Sequence, residues 1–206
     1  MADLLPTVIV SGLPRTGTTT MMRMLYYGGL PVLVDTVTQG AMNEFSPYGI
    51  YEVKDVGEKL TSNPPSWSAG KAVKLVAPYM EHLPVGTRSL LVIFMLRDMT
   101  EIISSMMAMR TIWDSPDQIL AWAIRILRQH EIPTHYVQYR EMVNYPRSIA
   151  QGLCNFLGPL GEGLDVTKMA SAIDRTPRGR VKGVDIKAKQ EPLVLFQADK
   201  VYAQDI

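Results

Sequence analysis

Thr7–Thr20 reads TVIVSGLPRTGTTT, and the choice of fold turns on this stretch. The β-branched run Thr7–Val10 predicts a short buried strand. Gly12–Gly17 (GLPRTG) is rich in turn residues and predicts a loop. Thr18–Tyr27 then predicts a helix with Met21, Met22 and Leu25 turned inward, stopped by Gly28 and Gly29. A strand, a glycine loop and a helix in immediate succession open an α/β unit.

The chain beyond continues the alternation. Strands are predicted at Pro31–Val34, at Lys71–Val76 (KAVKLV), at Ser89–Leu96 (SLLVIFML) and at Thr134–Gln138. The run SLLVIFML is the most apolar and belongs in the centre of a parallel sheet. Helices are predicted near Tyr51–Leu60, at Thr100–Met109, at Ser115–His130 with Asp114 as its N-cap, at Pro146–Leu157 with Gly158 beyond its end, and at Asp165–Ile173. Strands alternating with helices imply a parallel sheet covered on both faces. The expected fold class is α/β, a P-loop NTPase-like three-layer sandwich with a central parallel sheet of about five strands. One domain spanning residues 1–206 is expected, with an excursion at 35–68 and an irregular tail at 175–206.

Composition narrows the function. Hydrophobic residues make up 47% and charged residues 20% of 206, enough for a sizeable core. The net charge of +1 gives no reason to expect a nucleic-acid partner, so any basic site must be local. Cys154 is the only cysteine, so no intramolecular disulfide can form, which fits a reducing cytoplasm. No basic leader stands before the first apolar run, and no apolar stretch approaches the roughly 18 residues of a membrane span. A soluble, cytoplasmic protein is expected. His82, His130 and His135 show no metal-ligand spacing, so no metal is expected. The 13 methionines, Met21, Met22 and Met24 among them, read as adaptable core filler.

Gly12 and Gly17 hold the spacing of the phosphate-binding loop G-x-x-x-x-G-K-[ST]. Glycines there let backbone N–H groups converge on an anion, and the following helix N-terminus adds partial positive charge. Thr18 stands where a nucleotide triphosphatase needs lysine, which argues against ATP or GTP hydrolysis. The basic residue lies inside the loop instead, at Arg15.

Pro14-Arg15-Thr16-Gly17-Thr18-Thr19 resembles the 5′-phosphosulfate loop of the sulfotransferases, which reads Pro-Lys/Arg-Ser/Thr-Gly-Thr-Thr. The resemblance implies 3′-phosphoadenosine 5′-phosphosulfate (PAPS) as co-substrate, with no metal. It places Arg15 at the phosphate–sulfate bridge, and Pro14, Thr16, Gly17, Thr18 and Thr19 around the 5′-phosphate. Thr20 stands where some members carry an aromatic residue against the adenine. Arg97 ends the strong strand and Ser105 lies eight positions on (105 − 97 = 8). This pair resembles the family's 3′-phosphate clamp, where a planar guanidinium suits a phosphate. Read without the resemblance, Arg97 is equally an ion-pair partner of Asp98 or Glu101. Ser104, one position off the spacing, is the weaker serine. Tyr136–Gly158 resembles the family's Tyr-Glu-Asp-Leu-x-x-x-Pro stretch ending in Phe-Leu-Gly, with Tyr139 near the adenine and Arg140-Glu141-Met142 in place of Glu-Asp-Leu. Tyr139 reads equally well as a packing residue, and Cys154, Phe156 and Leu157 read as core. Arg178 and Arg180, in a basic stretch near the C-terminus, resemble a segment that wraps the 3′-phosphate. Gly49-Ile50-Tyr51-Glu52 is similar to a segment of short bacterial and viral members.

The resemblance implies transfer of a sulfuryl group to a hydroxyl or amine of a small-molecule or carbohydrate acceptor. Such an acceptor needs a general base. Lys74-Leu75-Val76-Ala77-Pro78 matches the family's Lys-x-His-x-Pro with valine at the histidine, leaving Lys74 as an aid at the sulfate. Other branches use a glutamate after the loop, which points to Glu52, then Glu44, with Asp35 in the same interval. His82, beside Pro84, reads as structural or exposed. Two alternatives share these residues: a P-loop small-molecule kinase, and a non-catalytic nucleotide-binding protein. The sequence leaves the acceptor and any homo-oligomer open.

Overall fold

The computed structural model describes residues 5–35, 51–109, 111–173 and 194–196. Among these residues the main sheet has four parallel strands: β1 (Thr7–Gly12), β2 (Ala72–Lys74), β3 (Leu90–Leu96) and, fifth in chain order, β5 (Thr134–Gln138), in the spatial order β2-β1-β3-β5. Helices cover both faces, so the chain is α/β. A short β4 (Thr111–Trp113) pairs in parallel with β6 (Val194–Phe196) as a separate two-stranded sheet.

All six residues of β1 are buried, as expected of a central strand covered on both sides. Successive side chains divide between two cores. Val8, Val10, Ile93 and Met95 face the helices α1 (Thr18–Gly28), α6 (Pro146–Leu157) and α7 (Val166–Ser171). Ile9, Val92 and Phe94 face α3 (Met99–Ala108), α4 (Pro116–Gln129) and the 3₁₀ turn at Ala77–His82. Helix α1 buries Met24 along with Met21, Met22 and Leu25.

The fifth expected strand, Pro31–Val34, is reduced to a single bridge between Val32 and Ala72. Its neighbour β2 offers only three residues to pair with. Leu33 N–H donates to Ala72 O, and the chain then turns away, where Asp35 N–H donates to Glu52 O. That extended contact also shortens the helix expected at Tyr51–Leu60 to α2 (Val56–Ser62). Helix α4 is not capped by Asp114: Ser115 takes the N-cap position with no side-chain bond, because Pro116 at the first helical position sets the start. Asp98 and Asp165 are the carboxylate caps, accepting N–H bonds at the starts of α3 and α7. Gly158 ends α6 as expected. Helix α5 (Tyr139–Asn144), β4 and β6 had no counterpart among the elements expected from the sequence. No described helix is long and apolar enough to cross a membrane.

One arginine latches the sheet's lower edge. Arg88 donates to Ser68 Oγ at 2.7 Å and to the carbonyls of Leu60 and Asn63 at the end of α2, while Thr7 and Ser68 share a buried hydroxyl bond of 2.8 Å. Arg88→Ala leaves three acceptors without their donor. We expect a loss of about 1–3 kcal/mol, read as a Tm fall of roughly 3–10 °C for a chain of this size. A fall under 1 °C would show that these bonds do not stabilise the edge.

Candidate functional site

Register decides where the functional side chains meet. Val10 pairs with Lys74, Gly12 with Met95, and Leu96 with Gln138. The four strands therefore end at one edge, and each delivers a polar group there: Lys74 from β2, the Gly12–Gly17 loop from β1, Arg97 just after β3, and Tyr139 just after β5. From β1 the chain passes first to β2 on one side and then to β3 on the other. The loop thus sits at the switch point of the sheet, where open α/β sheets hold their ligands. Neighbouring strands lie roughly 4.8 Å apart, so the groups leaving β2 and β3 start about 10 Å apart, with the loop between them.

The loop's shape depends on its two glycines. Gly12 has φ 135°, and a Cβ there would lie 2.5 Å from Met95 O. Gly17 caps α1 with φ 96° and ψ 18° and no side-chain bond. Its missing Cβ leaves room for Tyr139, whose Cδ2 would otherwise lie 2.5 Å away. Thr16 is buried and closes the turn: its N–H and its Oγ1–H both donate to Leu13 O. Its hydroxyl is thus part of the loop's frame. Thr18 is buried in the first turn of α1, while Pro14, Gly17, Thr19 and Thr20 are half-buried.

Arg15 takes a left-handed backbone, φ 75°. Its Nε donates to Ser105 Oγ at 2.9 Å, 90 positions along the chain. Ser105 is half-buried while Ser104 is exposed, so the spacing of eight selects the serine that faces the loop. Arg97 donates from Nη1 to Arg15 O at 3.0 Å and from Nε to Glu101 Oε2 at 2.8 Å. Its Cζ stands 4.4 Å from the Tyr139 ring centroid. The two readings of Arg97 therefore coexist: it pairs with Glu101 and it also braces the loop. Arg97 and Ser105 meet through Arg15, the sequence having paired them with each other. Burial, and then the neighbouring Arg97 charge, push the Arg15 guanidinium below its ordinary pKa, against a smaller opposing effect of Tyr139.

On the other flank, Lys74 Nζ donates to Thr19 Oγ1 at 2.9 Å and lies 2.7 Å from Glu52 Oε1. Only 5% of the Lys74 side chain is exposed. Burial lowers its pKa, the Glu52 charge and hydrogen bond pull it back up, and Arg15 lowers it again. Of the expected bases, Glu52 thus reaches the strand-end edge. Asp35 instead accepts from Lys54 N–H. His82 stands apart, beside Glu81 at 3.6 Å and against Gly57 of α2. Glu44, Arg178, Arg180, Gly49 and Ile50 lie outside the described residues.

Lys74 matters more than its place in the sequence suggests. In the sequence it stands inside the expected strand KAVKLV; the observed strand ends at Lys74, and register then sets it beside the loop. Glu101 is visible in the sequence only as a rival partner for Arg97.

No family model matches the chain, and no curated protein matches it. Among solved structures, it aligns with a sulfotransferase domain from the curacin biosynthetic pathway at a TM-score of 0.48 and 16% identity, covering 78% of this chain and 77% of that one. It also aligns with sulfotransferase STF1 from Mycobacterium tuberculosis at a TM-score of 0.44 and 11% identity, covering 83% and 77%. At such identities function does not transfer by likeness, and the side chains at the strand ends carry the functional reading.

Proposed function

We propose that the protein is a PAPS-dependent sulfotransferase that moves a sulfuryl group to a hydroxyl or amine acceptor. The observation that carries this reading is the Arg15–Ser105 bond inside a glycine loop at the switch point, flanked by Arg97 and Lys74. This places cations on three neighbouring strand ends, suited to a ligand with more than one anionic group.

In this reading the loop amides, with the Thr18 and Thr19 hydroxyls, hold the 5′-phosphate. Arg97 and Ser105 take the 3′-phosphate. Ser105 accepts from Arg15 and still has its own O–H to donate. Tyr139 borders the adenine, and Arg178 belongs to the same proposal by resemblance alone. Glu52 takes the acceptor's proton as the acceptor oxygen or nitrogen bonds to sulfur. The sulfur–oxygen bond to the nucleotide breaks in the same exchange. Negative charge then grows on the departing bridging oxygen, and Arg15 meets it there, where a fixed cation stabilises the transition state more than the ground state. Lys74 orients Glu52 and Thr19 toward the same point. Glu44 is the second candidate base.

Thermal shift tests the ligand class. Adenosine 3′,5′-bisphosphate at 100 times its Kd adds about 2.7 kcal/mol to stability, so Tm should rise by roughly 5–10 °C. ATP with Mg²⁺ should give less than a third of that rise. Equal stabilisation by ATP and Mg²⁺ would overturn the assignment in favour of a kinase. Transfer of labelled sulfate from PAPS to a panel of phenols, alcohols, amines and sugars then identifies the acceptor.

A further inference from the structure

Resting on the nucleotide reading above, we infer that Glu101 is the positioning residue that aims Arg97 at the 3′-phosphate. Arg97 is held from three directions. Glu101 on α3 accepts from Nε at 2.8 Å, the Arg15 carbonyl accepts from Nη1 at 3.0 Å, and the Tyr139 ring lies 4.4 Å from Cζ. A guanidinium has five N–H donors. These bonds engage one on Nε and one on Nη1, and among the described residues nothing takes the pair on Nη2. The free edge is thus defined by which edges are occupied.

Glu101 is itself placed by the sequence Arg97-Asp98-Met99-Thr100-Glu101. Asp98 caps α3 by accepting from the Thr100 and Glu101 N–H groups. That fixes the first turn, which holds Glu101 four positions from Arg97, within reach of Nε. Its other oxygen meets Arg140 Nη2 at 3.4 Å, but the Arg140 side chain is 82% exposed, so that contact is weak.

Two effects of the Glu101 charge oppose each other. It repels an incoming anion, and it holds the cation that the anion needs. The Glu101 side chain is 39% exposed, so solvent screens the repulsion. Orienting a rotamer-rich arginine before binding is retained in full, because that ordering would otherwise be lost from the affinity. Orientation therefore outweighs repulsion. A half-exposed pair one helical turn apart adds little to folding, so its value lies at the site.

Calorimetric titration of the full chain tests this with two ligands, adenosine 3′,5′-bisphosphate and adenosine 5′-monophosphate. Glu101→Ala should weaken the bisphosphate about tenfold and change the monophosphate less than about twofold. Glu101→Gln keeps an acceptor for Nε–H and should stay within about threefold of wild type for both. Equal losses of both ligands in Glu101→Ala would mean a merely structural role, and tighter bisphosphate binding would make Glu101 a competitor; either outcome, or no change, overturns the inference alone. A wild-type protein that binds no bisphosphate overturns the nucleotide reading and this inference with it. The Gln variant decides the matter by itself should the Ala variant fold poorly: a tenfold loss there contradicts positioning by an uncharged acceptor.

Discussion

Arg15→Ala should lower kcat by about 10²–10³ while leaving Tm nearly unchanged. The rate effect follows from where the guanidinium sits. It leaves a loop at the switch point, is partly desolvated, and is aimed by the Ser105 oxygen. A preorganised cation of this kind acts on charge that develops only as the leaving group departs, so the loss should fall on kcat more than on KM. The stability effect is small because opposing effects meet at this residue. Its burial and its neighbour Arg97 both disfavour a charged side chain there, and the bond to Ser105 offsets them. Removing the side chain removes both sets. A residue held in so unfavourable a setting is better explained by chemistry than by packing. Arg15→Lys keeps the charge but loses the fork and the aim from Ser105, and should fall between the two, about tenfold down. The measurement is sulfate transfer to whichever acceptor turns over, with a melting curve beside it. An Ala variant within threefold of wild-type kcat would remove Arg15 from the mechanism.

The sequence disclosed most of what local rules govern. TVIVSG followed by TTTMMRML names its own strand and helix, because burial on both faces makes Val8–Val10 of β1 apolar and α1 turns a methionine face inward. Pro146 and Gly158 bracket α6 for reasons of backbone chemistry alone. Apart from the Asp114 cap, displaced by the nearby Pro116, the failures share a cause, since they depended on partners elsewhere in the fold. Pro31–Val34 has the composition of a strand, but it becomes one bridge because β2 is three residues long and Asp35 finds Glu52 instead. β4 is too short to stand out and owes its existence to β6, more than 80 positions later. Tyr139 opens a helix because β5 ends against the loop, which no pattern in YREMVN announces.

The site was legible in kind and not in wiring. Resemblance to sulfotransferase motifs gave Arg15, Arg97, Ser105 and Tyr139 as candidates. Their connections depend on strand order, which sets β1 between β2 and β3 and so brings Lys74 and Arg97 to the loop's two flanks. With that order, Ser105 becomes the partner of Arg15 instead of Arg97, while Glu101 holds Arg97 through a local contact that needs no strand order. Glu52, expected as a base by resemblance and by its place in the excursion after the loop, reaches the edge through Lys74. Lys74 is the signal that strand order turns into a contact, whereas the glutamate four places after a strand-end arginine makes its contact locally.

Gly17→Ala tests the wiring most severely, and should cost both folding stability and nucleotide binding. Two separate penalties fall on one methyl group. The backbone at φ 96° is one that side chains other than glycine rarely adopt, at about 1–3 kcal/mol. The new Cβ would also stand 2.5 Å from Tyr139 Cδ2 and 2.9 Å from Cε2. Relieving that overlap costs about 1–3 kcal/mol more, so Tm should fall by roughly 5–15 °C. The ring cannot move without consequence, because the Arg97 guanidinium lies 4.4 Å from its centroid and also braces Arg15. Bisphosphate affinity should therefore drop more than tenfold. The two penalties separate in a double-mutant cycle with Tyr139→Ala, which removes the ring and leaves the backbone penalty. In that background Gly17→Ala should cost about 1–3 kcal/mol less than in wild type, the difference being the ring's share. If instead the two substitutions add independently, the loop and the tyrosine are not in contact, and the placement of Arg97 between them fails as well.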